Sequence, residues 1–367
     1  MNNLNYHESG ETPACPQRGI ASEPTGARGR IGRFLAGLRN IIFVVAASLT
    51  VWLGVLYLFV GDSNPLGEYF TIWPPFLWLF VLLPLAAVTF ERSRFKRNTV
   101  LLALVILFLL LCCEWRSLVV FRSRSYSKRD YPSFLRVVSW NVSGCDAGEK
   151  AILDELERLQ PDVCFLQESP NTPTFQQEAK RHAYWKDAFY VDDGDCAVLS
   201  LSPIHRESSA SIGPWSAPQI LLADLSSSKS MMLVNVRLML PSLILCPFSE
   251  EKMTQFVSDS MARNQQFRDL ADLIESKKSK IPVFNVILAG DFNTPGGIQS
   301  LKPLRRILKD VWPVCGEGWG ATITSSFPVS RIDQCWVSSG IRPLSAKVKS
   351  TRLSDHRILV VELLMSP

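Results

Sequence analysis

Three long stretches without a charged residue, all in the first third of the chain, constrain the fold most. They cover residues 41–60, 70–90 and 99–113. A membrane-spanning helix needs about 20 apolar residues, which the first two stretches supply. The third has 15 residues and would rise about 22 Å as a helix, so it crosses a membrane only if the flanking Glu114 extends to the interface. The sequence predicts three transmembrane helices within residues 39–115, with an interfacial or re-entrant third stretch as the alternative.

The charges that flank these stretches predict their orientation. Arginines precede the first stretch and basic residues fill the loop between the second and third, whereas the loop between the first and second holds only acidic charges, Asp62 and Glu68. Because basic loops stay in the cytoplasm, three spans place the N-terminus inside and the residues after 115 on the extracytoplasmic side. Basic residues after the third stretch disagree with this orientation, and a third stretch that does not cross would leave the C-terminal domain in the cytoplasm.

Charge and composition distinguish the remaining parts of the chain. Residues 1–38 are polar and basic without periodicity, which predicts a disordered tail, and residues 116–132 are typical of a linker. Before Pro132 the chain has 14 Lys and Arg against 8 Asp and Glu, and from there on 25 against 26. The near-neutral domain at residues 133–367 lacks the charge expected of a strong non-specific nucleic-acid binder. No pair of cysteines has the spacing of a structural zinc site.

The apolar periodicity from residue 134 onward predicts an α/β domain. Short apolar strands alternate with amphipathic helices at residues 149–160 and 264–276. The predicted strands are residues 135–140, 163–166, 196–201, 232–238, 283–289, 332–337 and 358–363. This alternation favours sheets that are covered by helices.

Polar residues recur where these predicted strands begin or end. They are Asn141, Glu168, Asp291, Asn293, Asp333, Asp355 and His356. Carboxylate and amide oxygens are suitable ligands for a hard cation such as Mg²⁺. A carboxylate can also activate water, and amide or imidazolium donors can stabilise negative charge on a phosphate. The set therefore indicates a metal-assisted reaction at a phosphate.

Five motifs in this part of the chain resemble those of a known enzyme family. They are SWN at 139–141, LQES at 166–169, GDFN at 290–293, RID at 331–333 and SDH at 354–356. In this order they resemble the endonuclease/exonuclease/phosphatase family, which includes DNase I. The likeness covers residues 134–364 and implies a four-layer α/β sandwich, here preceded by an α-helical membrane segment. Three helices before such a domain are similar to a group of bacterial membrane proteins of this family.

The resemblance implies a Mg²⁺ cofactor, or Mn²⁺ in its place. Glu168 would be the main metal ligand, with Asn141 beside it and Asp355 completing the metal side. Arg263 and Gln266 resemble an Arg-x-x-Gln pair on a supporting helix of the family, although a solvated helix face explains them equally well.

The resemblance also implies roles at the scissile phosphate. Asp291 would position and activate the attacking water, and Asn293 would hold that water or a phosphate oxygen. His356 would donate to the phosphate, oriented by Asp333.

One position departs from the family pattern. The family often has Asn-x-His-Leu on its central strand, whereas this chain has Asn235, Val236, Arg237 and Leu238. Arg237 can supply a bidentate phosphate contact in place of the His, with Asn235 as a further substrate-binding residue. A structural replacement in a weakened enzyme is the alternative for Arg237.

These observations predict a membrane-anchored, Mg²⁺-dependent phosphoesterase that hydrolyses phosphodiesters by in-line attack of water. Its substrate would be a nucleic acid or a phospholipid-type headgroup. The apolar segment at 239–248 is either a packed loop or a lipid-facing lip of the site. A catalytically weakened member that acts as a membrane-tethered binding module is the alternative. Nothing in the sequence identifies a protein partner.

Overall fold

The computed structural model describes most of the chain. Its described residues are 27–91, 94–119, 133–169, 173–207, 212, 217–223, 231–240, 249–280 and 285–365. We call the described residues before 120 the N-terminal helical segment and those from 133 onward the C-terminal domain. Most of the predicted tail and linker, and residues 241–248 of the apolar segment, lie outside the described residues. The first helix begins at Ala27. The part of the predicted disordered tail from residue 27 to residue 38 is therefore helical.

The N-terminal helical segment consists of helices joined by short turns. They are α1 Ala27–Val55 with a π-helical continuation Leu56–Val60, α2 Pro65–Thr71, a 3-10 turn Pro75–Trp78, α3 Leu79–Thr89, α4 Phe95–Cys112 and α5 Arg116–Val119. Among the described residues, two helices are long and apolar enough to cross a membrane, at 29–60 and 95–112. The second of these extends the short third stretch to 18 residues, which is closer to the length that a span requires.

The predicted helix at 70–90 is not straight. α2 and the helix that begins at Pro75 meet at a bend of 77°. Pro75 has no amide hydrogen and disfavours helical geometry in the residue before it, and Pro74 accordingly has a ψ of 136°. The sequence prediction overlooked the effect of these adjacent prolines. A third crossing requires the bent pair to act as one span, so three spans stay a prediction.

The described strands of the C-terminal domain form two sheets. The strands are β1 Phe134–Asn141, β2 Val163–Gln167, β3 Phe189–Asp192, β4 Cys196–Ser200, β5 Ile204–Arg206, β6 Gln219–Ala223, β7 Met231–Arg237, β8 Asn285–Asp291, β9 Lys309–Asp310, β10 Gly316–Glu317, β11 Asp333–Val337, β12 Ile341–Lys349 and β13 Ile358–Met365. One sheet has the order β10-β12-β13-β1-β2-β4-β3 and the other β5-β6-β7-β8-β11-β9. The helices are α6 Glu149–Leu159, α7 Pro173–Arg181, α8 Glu250–Lys280, α9 Lys302–Ile307 and α10 Trp312–Cys315.

Apolar clusters join these elements into four layers. Buried side chains of both sheets, among them Val137, Phe165 and Ile287, form the core between the sheets. α6 covers the outer face of the first sheet with residues such as Leu156. α8 covers the outer face of the second sheet with residues such as Leu270. The predicted α/β sandwich is therefore confirmed, and the helical segment precedes it.

The two sheets bring their polar strand ends to one edge. β1 and β2 run parallel, as do β7 and β8, so their carboxyl ends lie on the same side. β11 and β13 run antiparallel to β8 and β1, so their beginnings reach that same edge. The residues that meet there are Asn141, Gln167, Arg237, Asp291, Asp333 and His356.

Candidate active site

Asn141 connects the two sheets at the centre of the edge. Its side chain is fully buried, and Nδ2 donates to Glu168 Oε1 at 2.9 Å and to Asp291 Oδ2 at 3.2 Å. Its Oδ1 accepts from the amide of Ser143 at 3.0 Å. The structure thus turns the amide NH₂ group, and not the oxygen expected of a metal ligand, toward the carboxylates. In this geometry Asn141 holds Glu168 and Asp291 together.

An acid–imidazole–acid line lies beside this pair. His356 Nδ1 lies 2.9 Å from Asp333 Oδ2, and His356 Nε2 lies 4.0 Å from Asp291 Oδ2. All three side chains are buried, and Asp333 and Asp291 face each other across β11 and β8. Because Nδ1 faces a carboxylate, it carries the proton and leaves Nε2 directed at the site.

Burial and mutual charge shift the pKa values in this line. The pKa of Asp291 is raised to about 7, mainly by burial. The neighbouring Asp333 carboxylate also raises this pKa, and its effect is larger than the lowering by His356. Burial lowers the pKa of His356, but the charge and hydrogen bond of Asp333 prevail and raise it to about 9. A protonated imidazole and a carboxylate with a near-neutral pKa therefore face the same space, which is a suitable pair for acid–base work.

The backbone at the site has conformations that place these side chains. Glu168 and Asn293 have φ values of 48° and 50°, which few residues other than Gly and Asn adopt. The amide of Asn293 donates to Asp291 Oδ1 at 2.8 Å, and its side chain donates to the carbonyl of Leu238 at 2.8 Å. Asn293 is 8% exposed and lies beside Asp291, and its role toward water or phosphate stays a prediction.

Gly290 is required because β7 passes very close. It has a φ of 148°, and a Cβ built there would lie 1.9 Å from the carbonyl oxygen of Val236. This approach sets the position of Asp291, which directly follows in the chain.

Arg237 pairs with carboxylates of the site. Its Nη2 donates to Glu168 Oε1 at 2.8 Å, and its Nη1 lies 3.2 Å from Asp195 Oδ1. Its side chain is 38% exposed, so it lines the open part of the site, and its contact to a phosphate stays a prediction. Asp195 was missed in the sequence analysis, because it directly precedes β4 and belongs to none of the motifs.

Asn235 departs from the predicted substrate-binding role. Its side chain is fully buried, and Nδ2 donates to the carbonyls of Leu166 and Ala197. Its Oδ1 accepts from Gln167 Nε2 at 2.8 Å. Substrate cannot reach this amide, because it lies between the sheets and joins them. The partner of Asn235 is Gln167. Gln167 belongs to the LQES motif, but the sequence analysis assigned no role to it.

Asp355 lies at the rim rather than in the buried centre. Its side chain is exposed, and it accepts a hydrogen bond from Ser143 Oγ. Ser354 bonds the carbonyl of Asn141 through Oγ at 2.7 Å, and the amide of His356 donates to the same Oγ at 3.0 Å. The SDH motif is thereby fixed to the end of β1.

The oxygen atoms at this edge are suitable ligands for a hard divalent cation. Carboxylates of Glu168 and Asp291 converge on one amide group, and Asp333 Oδ1 is buried without a hydrogen-bond partner. The raised pKa of Asp291 indicates a buried site with a deficit of positive charge, which a bound cation would correct. Asp291, Asp333 and His356 also bring one ligand atom each within 4.8 Å of one another. Since His356 Nδ1 already bonds Asp333, we favour the Glu168 and Asp291 side for an oxygen-seeking ion.

A family model and several solved structures are similar to parts of this chain. A model of the Endonuclease/Exonuclease/phosphatase family matches residues 138–356. Among solved structures, a truncated TDP2 of Caenorhabditis elegans is 18% identical, with 64% of this chain and 98% of that chain covered and a TM-score of 0.47. The endonuclease/exonuclease/phosphatase of Beutenbergia cavernae is 18% identical, with 64% and 72% covered and a TM-score of 0.47. A family protein of Bacteroides thetaiotaomicron is 17% identical, with 64% and 98% covered and a TM-score of 0.46. No curated protein matches this chain.

The family match carries the assignment. It spans more than half of the 367 residues and contains all five motifs. The matched region begins in β1 and ends at His356, so it includes every element that supplies the site. The chain belongs to the endonuclease/exonuclease/phosphatase family.

Proposed function

We propose that this protein is a membrane-anchored, Mg²⁺-dependent phosphoesterase that hydrolyses phosphodiester bonds by attack of water. The observation that carries the proposal is the hydrogen-bonded unit in which Asn141 joins Glu168 to Asp291 beside His356. Such an arrangement offers a carboxylate pair for a cation and an imidazolium for a phosphate within one small space.

The proposed roles follow from the geometry. Asp291 orients the water and takes its proton, a role that suits a carboxylate with a pKa of about 7. His356 donates from Nε2 to a phosphate oxygen, and Asp333 holds its ring through Nδ1. Asn293 lies beside Asp291 and holds the water or a phosphate oxygen.

A bound divalent cation would be held by Glu168, with Asp355 at the rim as a further candidate. Asn141 would fix the Glu168 carboxylate through its NH₂ group. When bound, the cation supplies charge neutralisation at the phosphate. Arg237 supplies a further cationic contact to the phosphate from the open part of the site.

The proposed location is the membrane. The helices over 29–60 and 95–112 would serve as anchors, and the part of the bent pair from Pro75 to Thr89 would provide a third crossing. The arginines in the N-terminal part of α1 and the basic residues around the start of α4 support a catalytic domain on the extracytoplasmic side. A nucleic acid and a phospholipid-type headgroup are both substrates of suitable chemistry.

One observation favours a second function, that of a catalytically weakened binding module. Arg237 Nη2 bonds the same Glu168 oxygen that accepts from Asn141, so the guanidinium occupies the carboxylate that a cation would need. In such a protein, Mg²⁺ or phosphoester binding would occur without turnover.

The test is hydrolysis by the full chain in detergent micelles. Plasmid DNA, an artificial nitrophenyl phosphodiester and vesicles with sphingomyelin or a phosphoinositide form the substrate panel. The proposal expects turnover that requires Mg²⁺ and is abolished by EDTA and by Asp291→Asn. A steep loss of DNA binding with rising salt would identify a nucleic-acid substrate. Mg²⁺ binding in calorimetry, without turnover on any substrate, would favour the binding module.

A further inference from the structure

Two buried arginines of the C-terminal domain lie behind the active-site loop that follows β8. Arg263 on α8 is 3% exposed and Arg331 before β11 is 6% exposed. A buried guanidinium needs a carboxylate partner, because it cannot lose its proton. Each of these arginines receives such a partner from the N-terminal helical segment.

Glu68 on α2 is the partner of Arg263. Its carboxylate pairs with Arg263 Nη1 and accepts from Ser260 Oγ, and both charged side chains are 3% exposed. Arg263 Nη2 then donates to Thr294 Oγ1 at 2.9 Å. Thr294 directly follows Asn293, so a single chain of contacts links the helical segment to the site.

Glu114, after α4, is a partner of Arg331. It receives Arg331 Nη2 at 2.8 Å and Nε at 3.1 Å, and Asp310 accepts from the same Nη2 at 2.7 Å. Arg331 lies two residues before Asp333 and packs against the same loop, because a Cβ at Gly296 would meet its Nη2 at 1.9 Å.

Other contacts fix the same loop to the helical segment. Asp62 accepts from the amide and the hydroxyl of Ser300, and Asn264 donates to the carbonyl of Asp62 at 2.9 Å. Gln334 Nε2 holds the carbonyl of Thr294 at 2.7 Å from within the second sheet. The loop over 293–300 is therefore held between the sheet and the helical segment.

We propose that Glu68 and Glu114 are positioning residues of the active site, acting through Arg263 and Arg331. This inference rests on the proposed function for its kinetic readout. Glu68 keeps the Arg263 guanidinium directed at Thr294, and this contact holds Asp291 and Asn293 in register with His356. The helical segment thus completes the site in addition to anchoring it. Glu68 contributes more than Glu114, because Arg331 retains Asp310 and Glu114 is 41% exposed.

The test compares full-length variants in the same detergent. Glu68→Gln is expected to lower kcat on the order of tenfold with KM within about twofold, since residues joined in one hydrogen-bond network are energetically coupled. Arg263→Gln should lower kcat to a similar extent, and the double variant should lose little more. Glu68→Asp should restore part of the rate, and Glu114→Gln should cost less than Glu68→Gln. Glu91→Gln, which disrupts the ion pair with Arg94 at 3.3 Å in the helical segment, should leave kcat unchanged.

Amide hydrogen exchange over residues 291–297 separates this inference from the proposed function. Faster exchange there in Glu68→Gln, but not in Glu91→Gln, supports the positioning role even if the wild type hydrolyses no phosphoester. If Glu68→Gln does not fold, the partly exposed Glu114→Gln and the conservative Glu68→Asp provide the same two readouts. Wild-type kcat and wild-type exchange in folded Glu68→Gln and Glu114→Gln would overturn the inference, whereas absent wild-type turnover would overturn only the proposed function.

Discussion

Two donors share one carboxylate oxygen at the centre of the site. Glu168 Oε1 accepts from Asn141 at 2.9 Å and from Arg237 at 2.8 Å. A cation that binds Glu168 has to share this oxygen with the guanidinium or displace it. Arg237 has an alternative partner in Asp195, so it can move without losing its only carboxylate. We therefore expect Arg237 to act on metal affinity and on phosphate binding in opposite directions.

Replacing Arg237 by Ala tests this expectation. The variant should need less Mg²⁺ for half-maximal activity, because Glu168 loses a competing cation. Its kcat/KM should nevertheless fall roughly 10- to 100-fold, as expected when a charged hydrogen bond worth about 1.5–3 kcal/mol is lost. Steady-state kinetics over a Mg²⁺ series measures both effects. An unchanged kcat/KM would assign Arg237 to structure alone.

The Asp333–His356 pair predicts the alkaline limit of activity. With a pKa of about 9, His356 is protonated at neutral pH and loses its proton as the pH rises through 9. Asp333→Asn removes the charge that raises this pKa, so the alkaline limb of the kcat–pH profile should move toward the ordinary His value of about 6.5. Asp310→Asn, which changes a buried carboxylate away from the imidazole, is the matched control. A limb that stays in place in Asp333→Asn would show that another group controls it.

At the residue scale, the motifs indicated residues that the fold brings together at one edge of the sheets. Glu168, Asp291 and His356 lie at a strand end or within two residues of one, and all three lie at the candidate site. Asn235 has the same kind of position at a strand end, yet it points between the sheets. The register of β7 against β6 and β8 decides this direction, and a single sequence does not contain that register.

At the element scale, α8 is longer than predicted because it packs against two different parts of the molecule. The periodicity predicts a helix over 264–276, whereas α8 spans Glu250–Lys280. Its C-terminal half packs on the second sheet. Its N-terminal half meets the helical segment instead, where Phe256 packs against Tyr69 at 6.1 Å between ring centroids. Because the two halves turn different faces to different partners, one amphipathic stripe does not describe the whole helix.

Substitutions on α8 should separate its buried face from its exposed face. Leu270 is fully buried against the second sheet, whereas Met261 on the same helix is 63% exposed. Leu270→Ala should lower the free energy of unfolding by about 2–5 kcal/mol, because the cavity adds to the lost transfer energy. Met261→Ala should change it by less than about 0.5 kcal/mol. Denaturant unfolding of the full chain in detergent measures both, and equal effects would contradict the observed packing.

At the scale of the whole molecule, the helical segment has two chemically different ends. At one end Arg97 donates to Asn40 at 2.7 Å, and Arg94 donates to the same oxygen. At the other end Asp62, Glu68 and Glu114 contact the C-terminal domain. Basic and acidic ends separated in this way are the pattern that the positive-inside rule associates with the two sides of a membrane.

We predict that the C-terminal domain lies on the side opposite the loop with Arg94 and Arg97. Protease added to right-side-out membrane vesicles should digest this domain, and the same protease added to inverted vesicles should leave it intact. Charge reversal at Arg94 and Arg97 should weaken this preference, because the loop then loses its cytoplasmic bias. Digestion of the domain only in inverted vesicles would place it in the cytoplasm, as expected if the bent pair does not cross.

The close approach at Gly290 has a consequence for how this protein tolerates variation. Any side chain there would meet the carbonyl of Val236, so the strands would have to separate beside the Asp291 carboxylate. In a saturation-mutagenesis survey, Gly290 would therefore tolerate substitution as poorly as Asp291, although glycine has no functional group. Activity scores alone would count this glycine among the reacting groups. Pairing them with abundance scores would separate the two, because Asp291→Asn should accumulate normally and Gly290→Ala should not.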